Sequence, residues 1–140
     1  MKIVVIDGQG GRMGAELVRS AVKTFPQADI LAVGTNSLAT AAMLKAGAKE
    51  AATGENAAVV AARTADIIVG PLGMVIADAL LGEVTPLMAT AIAQSPAARV
   101  MIPMNKCDNL VAGVEAQSMS ELIGDAMKKI QRAIQERCIQ

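Results

Sequence analysis

The chain has 140 residues, with thirteen Lys and Arg balanced by thirteen Asp and Glu, a length that suits one domain with a single core and leaves no room for a separate substrate domain. Even charge, a pI near 6.2 and the lack of any basic cluster remove the electrostatic footprint of a nucleic-acid binder. Histidine is absent, which excludes histidine-dependent catalysis and zinc sites, and the two cysteines stand in no CxxC spacing and are expected as free thiols.

The chain enters a strand pattern at once, with Ile3 to Ile6 a continuous apolar, β-branched run of the kind buried on both faces of a parallel sheet. A glycine turn, Gly8-Gln9-Gly10-Gly11-Arg12-Met13-Gly14, follows directly. From Met13 to Thr24 apolar residues recur at helical spacing until Phe25-Pro26 stops the helix. A second strand is expected at Ile30 to Val33. A helix capped by Asn36 or Ser37 then runs to Ala46, with Gly47 as its left-handed terminator. Ala48 to Thr53 reads as a weak third strand, and Thr53-Gly54-Glu55-Asn56 opens a helix ending near Thr64.

Ile67 to Gly70 is a fourth buried strand. After Pro71-Leu72-Gly73 the pattern predicts a helix from Met74 to Leu81 ended by Gly82, then another with Thr85 as cap and Pro86 at its first position, reaching Gln94. Val100 to Ile102 forms a fifth strand and Leu110 to Val114 a sixth. Ser118-Met119-Ser120-Glu121 is a capping box for a terminal helix with Leu122, Ile123, Met127, Ile130 and Ile134 along one face. Strands alternating with helices at this spacing specify an α/β fold: one doubly wound, Rossmann-like parallel sheet with helices on both faces, spanning residues 1–140.

In such a sheet, ligands sit outside the carboxyl ends of the strands where the strand order reverses, facing the first helix's N-terminal amides. Gly8, Gln9, Gly10, Gly11, Arg12 and Met13 fall there. Gly8 allows the tight turn, Gly10 and Gly11 are expected to let backbone approach a pyrophosphate, and Gly14 lets the helix pack on its strand. Glycines at 8, 11 and 14 fit G-x-x-G-x-x-G, whereas the strict dinucleotide spacing and the Walker pattern do not fit. Gly11→Asp is expected to abolish ligand binding with the fold retained.

Gly-Gly-Arg-Met-Gly at 10 to 14, following a Val-Ile strand, resembles the nucleotide-binding half of dihydrodipicolinate reductases over about the first 70 residues. The resemblance implies a loop that holds the pyrophosphate of NADH or NADPH. It stops before that family's histidine-rich catalytic region, so the enzyme activity is not carried over. Over the whole length, Ile6-Asp7-Gly8-Gln9-Gly10-Gly11, Val33-Gly34-Thr35-Asn36-Ser37, Ala52-Thr53-Gly54-Glu55-Asn56-Ala57 and Asn105-Lys106-Cys107 resemble a compact bacterial family of unknown function.

Asp7 departs from the dinucleotide pattern. Two readings stand: it accepts hydrogen bonds from Gly10 or Gly11 and shapes the turn, or it holds magnesium against a phosphate. Thr35, Asn36 and Ser37 end the second strand as ribose contacts or as a helix cap. Thr53 to Asn56 and Gly70, Pro71, Leu72 and Gly73 end the next two strands and face the same edge, Gly70 and Pro71 being expected at the cofactor. No acidic residue ends the second strand, so NADP is expected to bind at least as well as NAD. Asn105, Lys106 and Cys107 form the chain's one reactive-looking cluster, a nucleophile or loop structure. Met74, Met88, Met101 and Met104 read as core filling.

Apolar residues make up 53% of the chain and mean hydropathy is +0.43. That surplus, with the apolar terminal helix, predicts a homo-oligomer. No basic leader, cleavage site or membrane-length apolar run is read at the start of the sequence, and a cytoplasmic protein without a membrane partner is expected. With Phe25 the lone aromatic, an adenine must lie between aliphatic side chains. The ligand expected is NADP or NAD. The rival ligand is a mononucleotide or phosphorylated metabolite with a metal at Asp7, and a third reading is a structural oligomer without ligand.

Overall fold

The computed structural model describes residues 1–103 and 109–138. Within them, β1 (Lys2–Asp7), α1 (Arg12–Thr24), β2 (Asp29–Gly34), α2 (Ser37–Lys45), β3 (Glu50–Thr53), α3 (Glu55–Thr64), β4 (Ile67–Pro71), α4 (Pro86–Ala93), β5 (Ala98–Ile102) and α5 (Met119–Cys138) follow in chain order. The five strands form one parallel sheet in the order β3-β2-β1-β4-β5. β1 pairs with β2 from Lys2 opposite Asp29 to Asp7 opposite Gly34, and with β4 from Ile3 opposite Ile67 to Val5 opposite Val69. Because the chain leaves β1 toward β2 and returns on its other side to β4, the order reverses at the carboxyl end of β1.

Period-two alternation sorts each central strand between two cores. Ile3, Val5, Ile67 and Val69 face Leu17, Val18 and Ala21 of α1, Met43 of α2 and Ile123, Met127 and Ile130 of α5. Val4, Ile6 and Ile68 face Ala58, Ala61 and Ala62 of α3 and Met88, Ala89 and Ile92 of α4. Each fully buried Ile, Leu, Val or Met contributes about 1.5–3 kcal/mol by leaving water, so the two layers fix the sheet from both sides. Met74 and Met88 lie wholly inside, as core filling requires. Met104 falls outside the described residues.

The local signals worked as read. Asn36 caps α2 by accepting from the Ala39 amide at 2.9 Å. Thr85 caps α4 at 3.2 Å with Pro86 at its first position, and Ser118 accepts from the Glu121 amide at 3.2 Å.

Two elements differ from expectation. Met74 to Leu81 is no helix: a single 3₁₀ turn, Leu72–Val75, gives way to a looped strap of residues 76–85. Leu110 to Val114 is no strand either; it runs exposed, Leu110 being 99% accessible, and pairs with nothing in the sheet. The apolar stripe of α5, one ground for expecting an oligomer, is spent on this chain's own core through Ile123, Met127 and Ile130. Among the described residues no helix is long and apolar enough to cross a membrane.

Candidate functional site

The glycine turn closes through the Gly11 amide, which donates to the Gly8 carbonyl at 2.9 Å, with Gln9 and Gly11 in left-handed backbone at φ 49° and 71°. Beneath it lies Asp7, 6% exposed. Its Oδ1 accepts from the Gly8 amide at 2.8 Å and its Oδ2 from the Gly14 amide at 2.6 Å. Asp7 therefore shapes the turn, but through Gly8 and Gly14 in place of Gly10 or Gly11. Each of its oxygens accepts one amide of the turn, and the carboxylate is buried beneath it. Burial pushes the Asp7 carboxyl above its ordinary value; the Gly14 and Gly8 amides offset part of this, and the nearby Glu83 charge adds to it.

The glycines divide by what surrounds them. A Cβ on Gly11 would stand 2.6 Å from the Ala39 backbone, so Gly11 seats α1 against α2. This overturns the expectation that Gly11→Asp keeps the fold. A Cβ on Gly14 would meet Met43 Sδ at 2.5 Å and Asp7 Cβ at 2.7 Å, which is the helix-on-strand approach expected of it. Gly10 has nothing within 4 Å of its Cβ position and, of the glycines in this turn, is the one that faces open space.

Sequence reasoning missed the residue at the centre of the site, Glu83. Its Oε1 accepts from Thr35 Oγ1 at 2.7 Å, Asn36 Nδ2 at 2.6 Å and the Gln9 amide at 3.0 Å. Asn36 Nδ2 also donates to the Gln9 carbonyl at 2.9 Å, so Asn36 ties together α2, the glycine turn and the strap. The strap is knit internally: Asp78 N donates to Val84 O at 2.8 Å and Gly82 N to Asp78 O at 3.1 Å, with Val84 fully buried. Asp78, Leu80 and Leu81 carry positive φ of 64°, 55° and 57°, each costing about 1–2 kcal/mol. Burial, the largest single influence on Glu83, raises its pKa, but the three donors together outweigh it and hold the carboxyl below its ordinary range.

An acidic group thus stands at the end of β2 after all. It arrives from the segment between β4 and α4, which corrects the premise for expecting NADP to bind as well as NAD. The available signal was topological: in a parallel sheet every strand-to-helix loop opens on the same edge, so an acidic residue after β4 is as eligible as one after β2.

Gly8, Gln9, Thr35 and Asn36 gather around Glu83 at this edge, and Gly10 and Arg12 follow in the same turn, both exposed. Met13 is buried at the start of α1, and Ser37 is exposed as the first residue of α2 while Asn36 does the capping. Gly70 and Pro71 are buried within β4, where a Cβ on Gly70 would collide with the Ile6 carbonyl. Thr53 Oγ1 bonds Thr40 Oγ1 at 2.7 Å, tying β3 to α2. Asn105, Lys106 and Cys107 lie outside the described residues.

The N-terminus of α1 keeps open donors. The Gly10, Arg12 and Met13 amides find no acceptor among the described residues, and the N-cap, Gly11, has no side chain to supply one. No acidic residue occupies the first turn. A cavity of about 510 Å³ lies elsewhere, along Val100, Ile102, Val111, Val114 and Leu122. Its lining mixes these aliphatic side chains with Glu115, Gln117, Asp125 and Lys129, whereas the unsatisfied helix amides stand at the glycine turn. No group of three His, Cys, Asp or Glu side chains suited to a metal occurs among the described residues.

A family model described as a domain of unknown function, DUF3842, matches residues 2–135, and the chain belongs to that family. The whole-chain resemblance read from the sequence is the one this match supports; the likeness to dihydrodipicolinate reductase is confined to the loop motif. No curated protein matches the chain. Among solved structures, a dodecameric FMN-dependent UbiX-like decarboxylase from Escherichia coli O157:H7 is similar at 16% identity and a TM-score of 0.45, over 95% of this chain and 76% of that one. The fold assignment rests on the strand order itself.

Proposed function

We propose that this member of the DUF3842 family binds a nucleotide, an NAD(P)-type dinucleotide, with its phosphates on the amides of Gly10, Arg12 and Met13. One observation carries the reading: α1 begins at the reversal point of the sheet with those three donors unsatisfied among the described residues, while Asp7 holds only the Gly14 amide of its first turn. Burying them under an anion would form charge-assisted hydrogen bonds of about 1.5–3 kcal/mol each. Arg12 supports it. A cation at the first position of a helix opposes the dipole by about 0.3–1 kcal/mol, and an anion between guanidinium and amides reverses the sign of that contact.

A smaller phosphorylated ligand is the second reading. It is favoured by Leu80 and Glu83, which crowd the space over Gly8, with Leu80 Cδ1 2.8 Å and Glu83 Oε1 3.3 Å from its Cβ position. The two are separated by mass spectrometry of small molecules released from the denatured protein, followed by calorimetric titration with that compound and with NAD and NADP. Gly10→Asp is expected to abolish binding without unfolding the chain, since its side chain enters open space and sets a carboxylate where the phosphate would lie. Undiminished affinity in that variant would refute the site.

A further inference from the structure

The Glu83 carboxylate is used on one side only. Its Oε1 takes all three donors, Thr35 Oγ1, Asn36 Nδ2 and the Gln9 amide, while Oε2 accepts no hydrogen bond among the described residues. A carboxylate oxygen has about two lone-pair sites, so Oε1 is saturated and Oε2 has its full capacity left. The residue is only partly buried, and its free oxygen is reachable from solvent. Glu83 is also pinned at a definite place, between the end of β2 and the Gln9 amide of the glycine turn, the same turn that leads into the open amides of Gly10, Arg12 and Met13. Two adjoining subsites result, one of donors suited to phosphate and one of acceptor suited to hydroxyl.

We infer that Glu83 is the specificity-determining residue of the nucleotide site, accepting the adenosine 2′-hydroxyl on Oε2 and excluding a 2′-phosphate. The inference rests on the nucleotide reading above. A hydroxyl completes the empty side of the carboxylate, whereas a 2′-phosphate would set a dianion against a carboxylate that three donors keep ionised. The acid that usually ends β2 in NAD-selective sheets is supplied here from the β4–α4 strap. Thr35 and Asn36, at the usual position, serve to hold it.

The test is calorimetric titration of NAD and NADP against the wild-type chain and Glu83→Gln. Glutamine keeps the Oε1 acceptor for all three donors and replaces Oε2 with an amide donor, so the fold persists, as a thermal melt will verify, while the ligand-facing chemistry inverts. Wild type is expected to bind NAD at least tenfold tighter than NADP, and E83Q to lower that ratio at least fivefold. A measurement on the wild-type chain needs no variant: NAD lacking the adenosine 2′-hydroxyl is expected to bind at least fivefold more weakly than NAD. A wild-type preference under tenfold, a ratio moved less than fivefold by E83Q, or undiminished binding of the deoxy compound overturns the assignment and leaves the nucleotide reading standing. If neither dinucleotide binds the wild-type chain at millimolar concentration, the nucleotide reading itself fails and takes this inference with it.

Discussion

Replacing Asn36 with alanine removes three interactions at once, and the structure gives each a magnitude. The side-chain oxygen caps α2 through the Ala39 amide at 2.9 Å, and losing such a cap costs about 1 kcal/mol. Nδ2 donates to the Gln9 carbonyl at 2.9 Å, a neutral bond of about 1 kcal/mol net. The third bond, 2.6 Å to Glu83, is charge-assisted, but Glu83 keeps Thr35 and the Gln9 amide and is open to water, so its loss adds about 0.5–1 kcal/mol. Asn36→Ala is therefore expected to destabilise the chain by about 2–3 kcal/mol, lowering Tm by about 7–10 °C for a domain of this size. Urea denaturation followed by circular dichroism measures it. Asn36→Asp separates the parts: it keeps the cap yet loses both donations and sets a second carboxylate against Glu83, so it should remain about 1–2 kcal/mol less stable than wild type. Ser37→Ala, at an exposed position with no side-chain bond among the described residues, should be silent. An Asn36→Ala effect below about 0.5 kcal/mol, or Asn36→Asp as stable as wild type, would refute the view of Asn36 as the tie between strap, turn and helix.

Gly11→Ala is expected to cost about 2–5 kcal/mol, from left-handed backbone strain and a Cβ 2.6 Å from Ala39, whereas Gly10→Ala should melt close to wild type; equal melts would sink the distinction. The pH dependence of stability carries two opposed signatures. Glu83, held below its ordinary 4.5, contributes stability that is present above 4.5 and lost as pH falls through its folded value, so Glu83→Gln should flatten the acid limb of ΔG against pH; an unchanged limb contradicts the three-donor arrangement. Asp7 has the opposite sign: held above its ordinary 3.8, it withdraws stability as pH rises from 3.8 through its folded value. Asp7→Asn, which relieves that burden but turns one amide bond into a donor–donor clash, is nevertheless expected to be destabilising by about 1–2 kcal/mol in a denaturant titration at pH 7. Finally, exposed Leu38, Leu81, Leu87 and Leu110 keep the expectation of self-association alive, and light scattering should return a dimer or larger; a 14.3 kDa particle at micromolar concentration would end it.

What the sequence determined by itself was whatever depends on neighbours a few residues away. The β-branched run Ile3 to Ile6, the glycine turn at the first strand's end, the caps at Asn36, Thr85 and Ser118 and the stripe along α5 all follow from side-chain period and local hydrogen bonding, and together they compel a parallel sheet with its loops on one edge. The tertiary structure decided everything that needed a distant partner. Glu83 meets Thr35 across 48 residues and Gln9 across 74, by way of a strap whose left-handed residues are Asp78, Leu80 and Leu81, the two leucines being a type that announces a helix more readily than a turn. Gly11 and Gly10 are indistinguishable in sequence, yet the packing of α2 makes one a backbone contact and the other an opening. Leu110 to Val114 has the apolarity of a strand but no sheet partner, and hydrogen bonds to a neighbour, not composition, are what make a strand. Which donors a carboxylate finds, and which of its oxygens is left for a ligand, is fixed by packing alone.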